Sequence, residues 1–287
     1  MGLFFKDKEK PDLLEEEMPK RGLFLFLDIF FGRFFKFASV SLLMFGVNVF
    51  YAALLFFISP INAQSFAGIL SFESVSIEVH YDIMLRLVFA LAVILFWGAG
   101  PAGAGISYIF RCFASREHAW IISDFREKSL ENLKQGAIVM LADIAAVFIL
   151  PLAFRFYWAQ YIEKGSSLFL VFIGILIVFT AIYTFMHYFM YQMMVRFECK
   201  IKELYKNSLI LTLIRVPVLL IVTVIGAALF LIPLYFLEVY AILVYALLFM
   251  ALIRFIFEFT ASRIIEDTIE PEEGKEKILD PDRKWHK

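Results

Sequence analysis

The feature that most constrains this chain is a series of long stretches without a single charge. Between Lys36 and Glu73 no charged residue occurs, and Phe37 to Ile58 offers 22 positions that are apolar or small apart from Asn48. At roughly 1.5 Å per residue such a helix covers about 33 Å, enough to cross the hydrocarbon core of a bilayer. Lipid offers no hydrogen-bond partners, so a lone apolar run of this length must satisfy its own backbone as a helix. Further spans are read at 87–110, 136–154, 168–195, 209–236 and 239–257. The expected fold class is all-α: a polytopic membrane protein with six transmembrane helices in one domain over 1–260, then a charged tail over 261–287. The uncharged run of the fourth span is long enough that the helix must tilt or project beyond the bilayer. A chain that is 61% hydrophobic and 19% charged is no soluble enzyme, secreted disulfide scaffold or nucleic-acid binder.

The net charge of −1 conceals a sidedness. Of 27 Lys and Arg residues, 23 fall in the N-terminal segment, in Arg111–Lys134, in Arg196–Lys206 and in Arg254–Lys287, all on one side of the six-span reading. Basic connections stay in the cytoplasm, so both termini are expected there. A cleavable signal peptide is not expected, because the first apolar run is too long for its hydrophobic region. The segments between spans two and three and between spans four and five read as charged cytoplasmic helices, the second with an amphipathic stripe at Phe197, Ile201, Leu204 and Tyr205. Ahead of span one, Phe24, Phe26, Phe30, Phe31, Phe34 and Phe35 surround Asp28 and Arg33. This segment reads either as a helix along the inner interface or as an early start to span one.

Sliding the sequence by 72 positions aligns Phe125, Lys128, Glu131, Lys134, Ile138 and Leu141 with identical residues, six matches in 17 positions. A duplicated unit of span, cytoplasmic helix and span would explain this. The same offset sets Asp143 opposite Arg215, each inside a span. An unpaired charge there costs about 2.5 to 3.5 kcal/mol, which leads us to expect an intramembrane ion pair between them. Thr180, Thr184, His187 and Tyr191 form a polar stripe on span four, in which His187 is either a hydrogen-bonded packing residue or a proton carrier. Gly100, Pro101, Gly103 and Gly105 read as a site of close helix packing, with Pro101 kinking the span by freeing the Trp97 carbonyl. The run satisfies G-x-G-x-x-G by letters but follows a membrane helix, so it is not a dinucleotide site. Glu78, His80 and Asp82 share the spacing of a metal site but read as a solvated loop. Neither a catalytic motif nor a cofactor signature occurs, and no enzyme, metal or cofactor is expected.

The stretch Gly100-Pro101-Ala102-Gly103-Ala104-Gly105, followed by Tyr108, Arg111, Arg116, Glu117-His118, Trp120, Ser123-Asp124-Phe125, Asn132 and Lys134-Gln135, resembles the YesL family of bacterial integral membrane proteins. The charged head with Pro19-Lys20-Arg21-Gly22 and the Phe-rich approach to span one resemble it too. The chain departs from the family in its long outer loop, Ser59 to Asp82, and in its polar tail. The resemblance implies a plasma-membrane protein associated with the permease or ATPase subunits of a carbohydrate ABC importer, assisting its assembly or activity. It also singles out Glu117, Trp120, Asp124 and Phe125 as docking residues; Trp120 is equally the kind of aromatic that anchors a chain at a membrane interface. The other functions open to such a chain are an autonomous small-solute transporter and a membrane sensor working through its tail.

Overall fold

The computed structural model describes residues 22–58, 88–237 and 240–269. The outer loop with Glu78, His80 and Asp82, and the chain beyond Ile269, lie outside them. The described residues are helical almost throughout, with no strand among them. In chain order the helices are α1 (Gly22–Gly32), α2 (Phe34–Ile58), α3 (Val88–Trp97), α4 (Gly100–Ala114), α5 (Ile121–Glu131), α6 (Leu133–Lys164), α7 (Leu168–Arg196), α8 (Ile201–Leu237), α9 (Ala241–Val244) and α10 (Met250–Ile269). One wide π turn, Tyr245–Phe249, joins α9 to α10.

Four helices, α2, α6, α7 and α8, are long and apolar enough to cross a membrane, and α3 with α4 makes a fifth candidate bent by 56°. The helices run past the expected span limits. Residues 155–164, expected as a loop, are the last turns of α6, which ends at Gly165 before the short turn into α7. The expected cytoplasmic helix ahead of span five is continuous with it, giving the 37 residues of α8.

The sixth expected span behaves differently. Its helix α10 continues to Ile269, and Ala261, Ser262, Ile264 and Ile265, assigned above to the tail, are buried. Packed against α2, α4, α7 and α8, this helix is the centre of the bundle. It meets protein on nearly every face, so it can carry polar groups that a lipid-facing span could not. The Phe257 ring fits against the bare Cα of Gly226 on α8 and stacks on Tyr188 of α7 at 4.3 Å.

The phenylalanines ahead of span one divide by helical position. Phe26 and Phe30 of α1 turn inward and join Phe37, Phe110, Phe113, Phe255 and Phe259 in one aromatic cluster. Phe24, Phe31 and Phe35 stay exposed. A bond from Arg33 Nη1 to the Glu117 carbonyl at 2.8 Å and an ion pair of Arg116 with Asp28 at 2.7 Å tie α1 to the end of α4.

Candidate functional site

The polar interior begins at the break between α3 and α4. Gly98 and Gly100 have φ of +89° and +56°, conformations that cost other residues dearly. A Cβ on Gly98 would also lie 2.7 Å from the Tyr191 ring, and one on Gly100 2.8 Å from Met140 Cβ. The freed Gly100 N–H donates to Tyr191 Oη at 3.0 Å. Pro101 therefore does not kink a continuous helix as expected: the chain breaks before it, and Pro101 sits in the first turn of α4, where its missing N–H costs nothing. Gly105 brings α4 against α5, within 2.6 Å of the Phe125 carbonyl for an added Cβ, and Gly103 faces the Tyr191 ring.

Asp143 of α6 is fully buried, and its partner is not Arg215. Its Oδ1 lies 2.8 Å from His187 Nε2 and accepts the Tyr183 hydroxyl at 2.7 Å, both from α7. His187 Nδ1 faces the Tyr183 carbonyl at 2.8 Å, an acceptor only, so Nδ1 carries a hydrogen. One proton must then lie between Nε2 and Oδ1, and whichever group holds it, the pair is neutral as a whole. The Trp97 ring stacks on His187 at 5.6 Å and donates from Nε1 to Thr184 Oγ1 at 2.9 Å. Thus Thr184, His187 and Tyr191 each meet a different group around the break. Arg215 takes no part. It sits at a non-helical kink in α8, two residues before Pro217, where the lost N–H and the proline ring open the turn. Among the described residues it forms no ion pair, so a matching position in a repeat did not bring the charges together.

A second buried cluster escaped the sequence reading. Arg254 and Glu258 of α10 are both 1% exposed; Arg254 Nε donates to Glu258 Oε1 at 2.8 Å, and Nη2 lies 2.7 Å from the same oxygen. Ser107 Oγ of α4 also donates to Oε1 at 2.5 Å, and Gln192 Nε2 of α7 donates to Oε2 at 2.6 Å. The guanidinium additionally lies 5.4 Å from the Tyr191 ring centre and reaches the Leu95 carbonyl at 3.4 Å. The Arg-x-x-x-Glu spacing is its signal in the sequence, but the count of basic residues places Arg254 among the cytoplasmic cations although it lies within the sixth expected span, 239–257. Between the break, Asn48 and Arg254 there is a void of only about 10 Å³, the size of one water and too small for a solute.

Two open features lie at the end of the bundle where Arg33, Arg116 and Arg196 gather. A polar cleft of about 520 Å³ separates the α5–α6 junction from the α7–α8 connection, lined by Lys128, Glu131, Asn132, Gln135, Glu198 and Lys200. Gln135 Nε2 clips its two walls together by donating to the Cys199 carbonyl at 2.7 Å. The Glu131 carboxylate, 2.8 Å from Lys128, raises that ammonium above its ordinary value. Burial raises the Cys199 thiol above its ordinary value.

A wider groove of about 810 Å³ runs between Lys36 and the outer face of α5. The docking residues implied by resemblance part company here. Asp124 Oδ2 caps α5 by accepting the Trp120 N–H at 2.8 Å, and half-buried Phe125 packs over Gly105, so both hold structure. Trp120, 71% exposed, and the Glu117 side chain face outward. No group of three or more metal-ligating side chains occurs among the described residues. Comparison of the chain with known protein families, with curated proteins and with solved structures finds no match in any of them.

Proposed function

We propose that this chain is a multi-pass accessory subunit of a carbohydrate ABC importer in a bacterial plasma membrane, assisting its assembly or activity. In this reading it crosses six times with both termini cytoplasmic, the bent α3–α4 pair forming the second crossing and α9 to α10 the sixth. The YesL resemblance around residues 100–135 suggests the partner. The observation that carries the reading is the open polar cleft between the charged segments 128–135 and 196–200, set against a water-sized void at the helix break. A surface built from fixed, oppositely charged side chains suits recognition of a protein partner more than passage of a solute.

Affinity purification of the tagged chain in mild detergent tests this. Permease or ATPase subunits should copurify, and reversing Glu131 and Glu198 to Lys should release them. Recovery of the chain alone, with unimpaired sugar uptake in a deletion strain, overturns the proposal. A second reading, an autonomous small-solute transporter, is favoured by one observation, the buried Asp143–His187 pair inside candidate spans. Uptake by proteoliposomes containing this chain alone would decide for it.

A further inference from the structure

We propose that the groove between α2 and α5 is a binding site for the headgroup of an anionic phospholipid. Along α5, Ile122, Arg126 and Leu130 recur every four residues and so share one face, an aliphatic–cation–aliphatic stripe. Ile122 is 76% and Leu130 58% exposed, and Trp120 stands at the head of the stripe. Lys36 closes the opposite wall. Its position fixes the depth of the groove. The apolar stretch of α2 begins at Phe34, so Lys36 lies in the first turn of a candidate span, beside exposed Phe34 and Phe35, where a bilayer passes from hydrocarbon to headgroups.

The charges complete the argument. Neither Lys36 nor Arg126 forms an ion pair among the described residues. Of the acids near the groove, Glu127 lies 3.4 Å from Lys128, Asp124 caps α5, and Asp28 holds Arg116. The Glu117 carbonyl accepts Arg33 while its side chain faces outward, and the His118 ring packs edge-on to Trp120 at 4.8 Å. Two cations without an ion pair among the described residues thus flank an exposed apolar stripe at headgroup depth. An occupant must offer an anion and an apolar body together, which a phospholipid does and a soluble acidic peptide does not. The phosphate lies between Lys36 and Arg126, and the first acyl carbons lie along Ile122, Leu130 and Phe35. This site is separate from the polar cleft and does not depend on which partner the cleft takes.

Trp120 supplies the probe. The full chain is reconstituted into phosphatidylcholine vesicles containing a minority of phosphatidylglycerol, with bromine on the acyl chains of one lipid or the other. The Trp120 contribution to fluorescence is isolated by difference with Trp120→Phe. Brominated phosphatidylglycerol should quench it roughly 25-fold more effectively per molecule, since each of the two cations at an anionic surface contributes about fivefold and the two factors multiply. The preference should shrink as salt is raised, a measurement needing no variant. The pair Lys36→Gln and Arg126→Gln should abolish the preference while leaving quenching by brominated phosphatidylcholine in place. Equal quenching by the two lipids, a preference indifferent to salt, or one that survives the double substitution overturns the proposal. So does the absence of quenching by either lipid, which would mean that protein or water covers this face.

Discussion

The two buried ionisable pairs solve the same problem in different ways. Arg254 and Glu258 sit four residues apart on one helix, so α10 carries both charges and their neutralisation with it. Asp143 and His187 come from different helices and meet only if α6 and α7 hold their mutual rotation and height. The first pair is braced by Ser107 and Gln192 on both carboxylate oxygens, whereas the second leaves Asp143 Oδ2 without a hydrogen bond among the described residues. A pair within a helix can be built before the bundle packs. A pair between helices reports on whether it has packed.

The sharpest way to break this contrast is to remove one member of the braced pair. Glu258→Leu strands a guanidinium that cannot lose its proton, and should cost about 3 kcal/mol or more of unfolding stability in detergent. Adding Arg254→Met should recover much of that loss, because no uncompensated charge then remains. Should the double variant prove as unstable as the single one, the pair contributes more than mutual neutralisation. Asp143→Leu should be milder, about 1 to 2 kcal/mol, since an imidazole, unlike a guanidinium, has a neutral form and leaves no obligatory charge stranded.

Double-mutant cycles sharpen the comparison further. Asp143 with His187 should show a coupling of about 1 kcal/mol, while Asp143 with Arg215 should be additive within about 0.5 kcal/mol. Coupling to Arg215 would restore the pairing expected from the repeat and remove the one found. The smallest effects belong to single hydrogen bonds at the periphery of each cluster. Tyr183→Phe and Ser107→Ala should each cost about 0.6 kcal/mol, the usual size for interhelical bonds in membranes. Thermal unfolding of both in the same detergent would show whether the braced cluster shares its load more evenly.

How much was legible follows from the range of each signal. The positions of α2, α6, α7 and α8 could be read directly, because lipid-facing helices must be apolar over a fixed length. The limits of α10 could not. Hydropathy measures exposure to lipid, and this helix is wrapped by protein, so nothing in the pattern sets the pair Arg254 and Glu258 apart from the water-exposed charges that follow. The glycines around residue 100 announced close approach, but not that the chain would break at Gly98 and leave Pro101 in a first turn. Asp143 was identifiable as a residue in need of a partner. Its partner was not, since equivalent positions in a repeat share depth in the membrane without sharing a direction around the helix axis.

By itself, then, the sequence determined the helical class and the positions of the long apolar helices, because these depend on runs and spacings along one chain. The tertiary structure decided which polar groups meet: His187 and not Arg215 with Asp143, and Ser107 and Gln192 with Glu258. Such choices depend on the rotation of one helix against another, and that rotation is set by packing of side chains far apart in sequence.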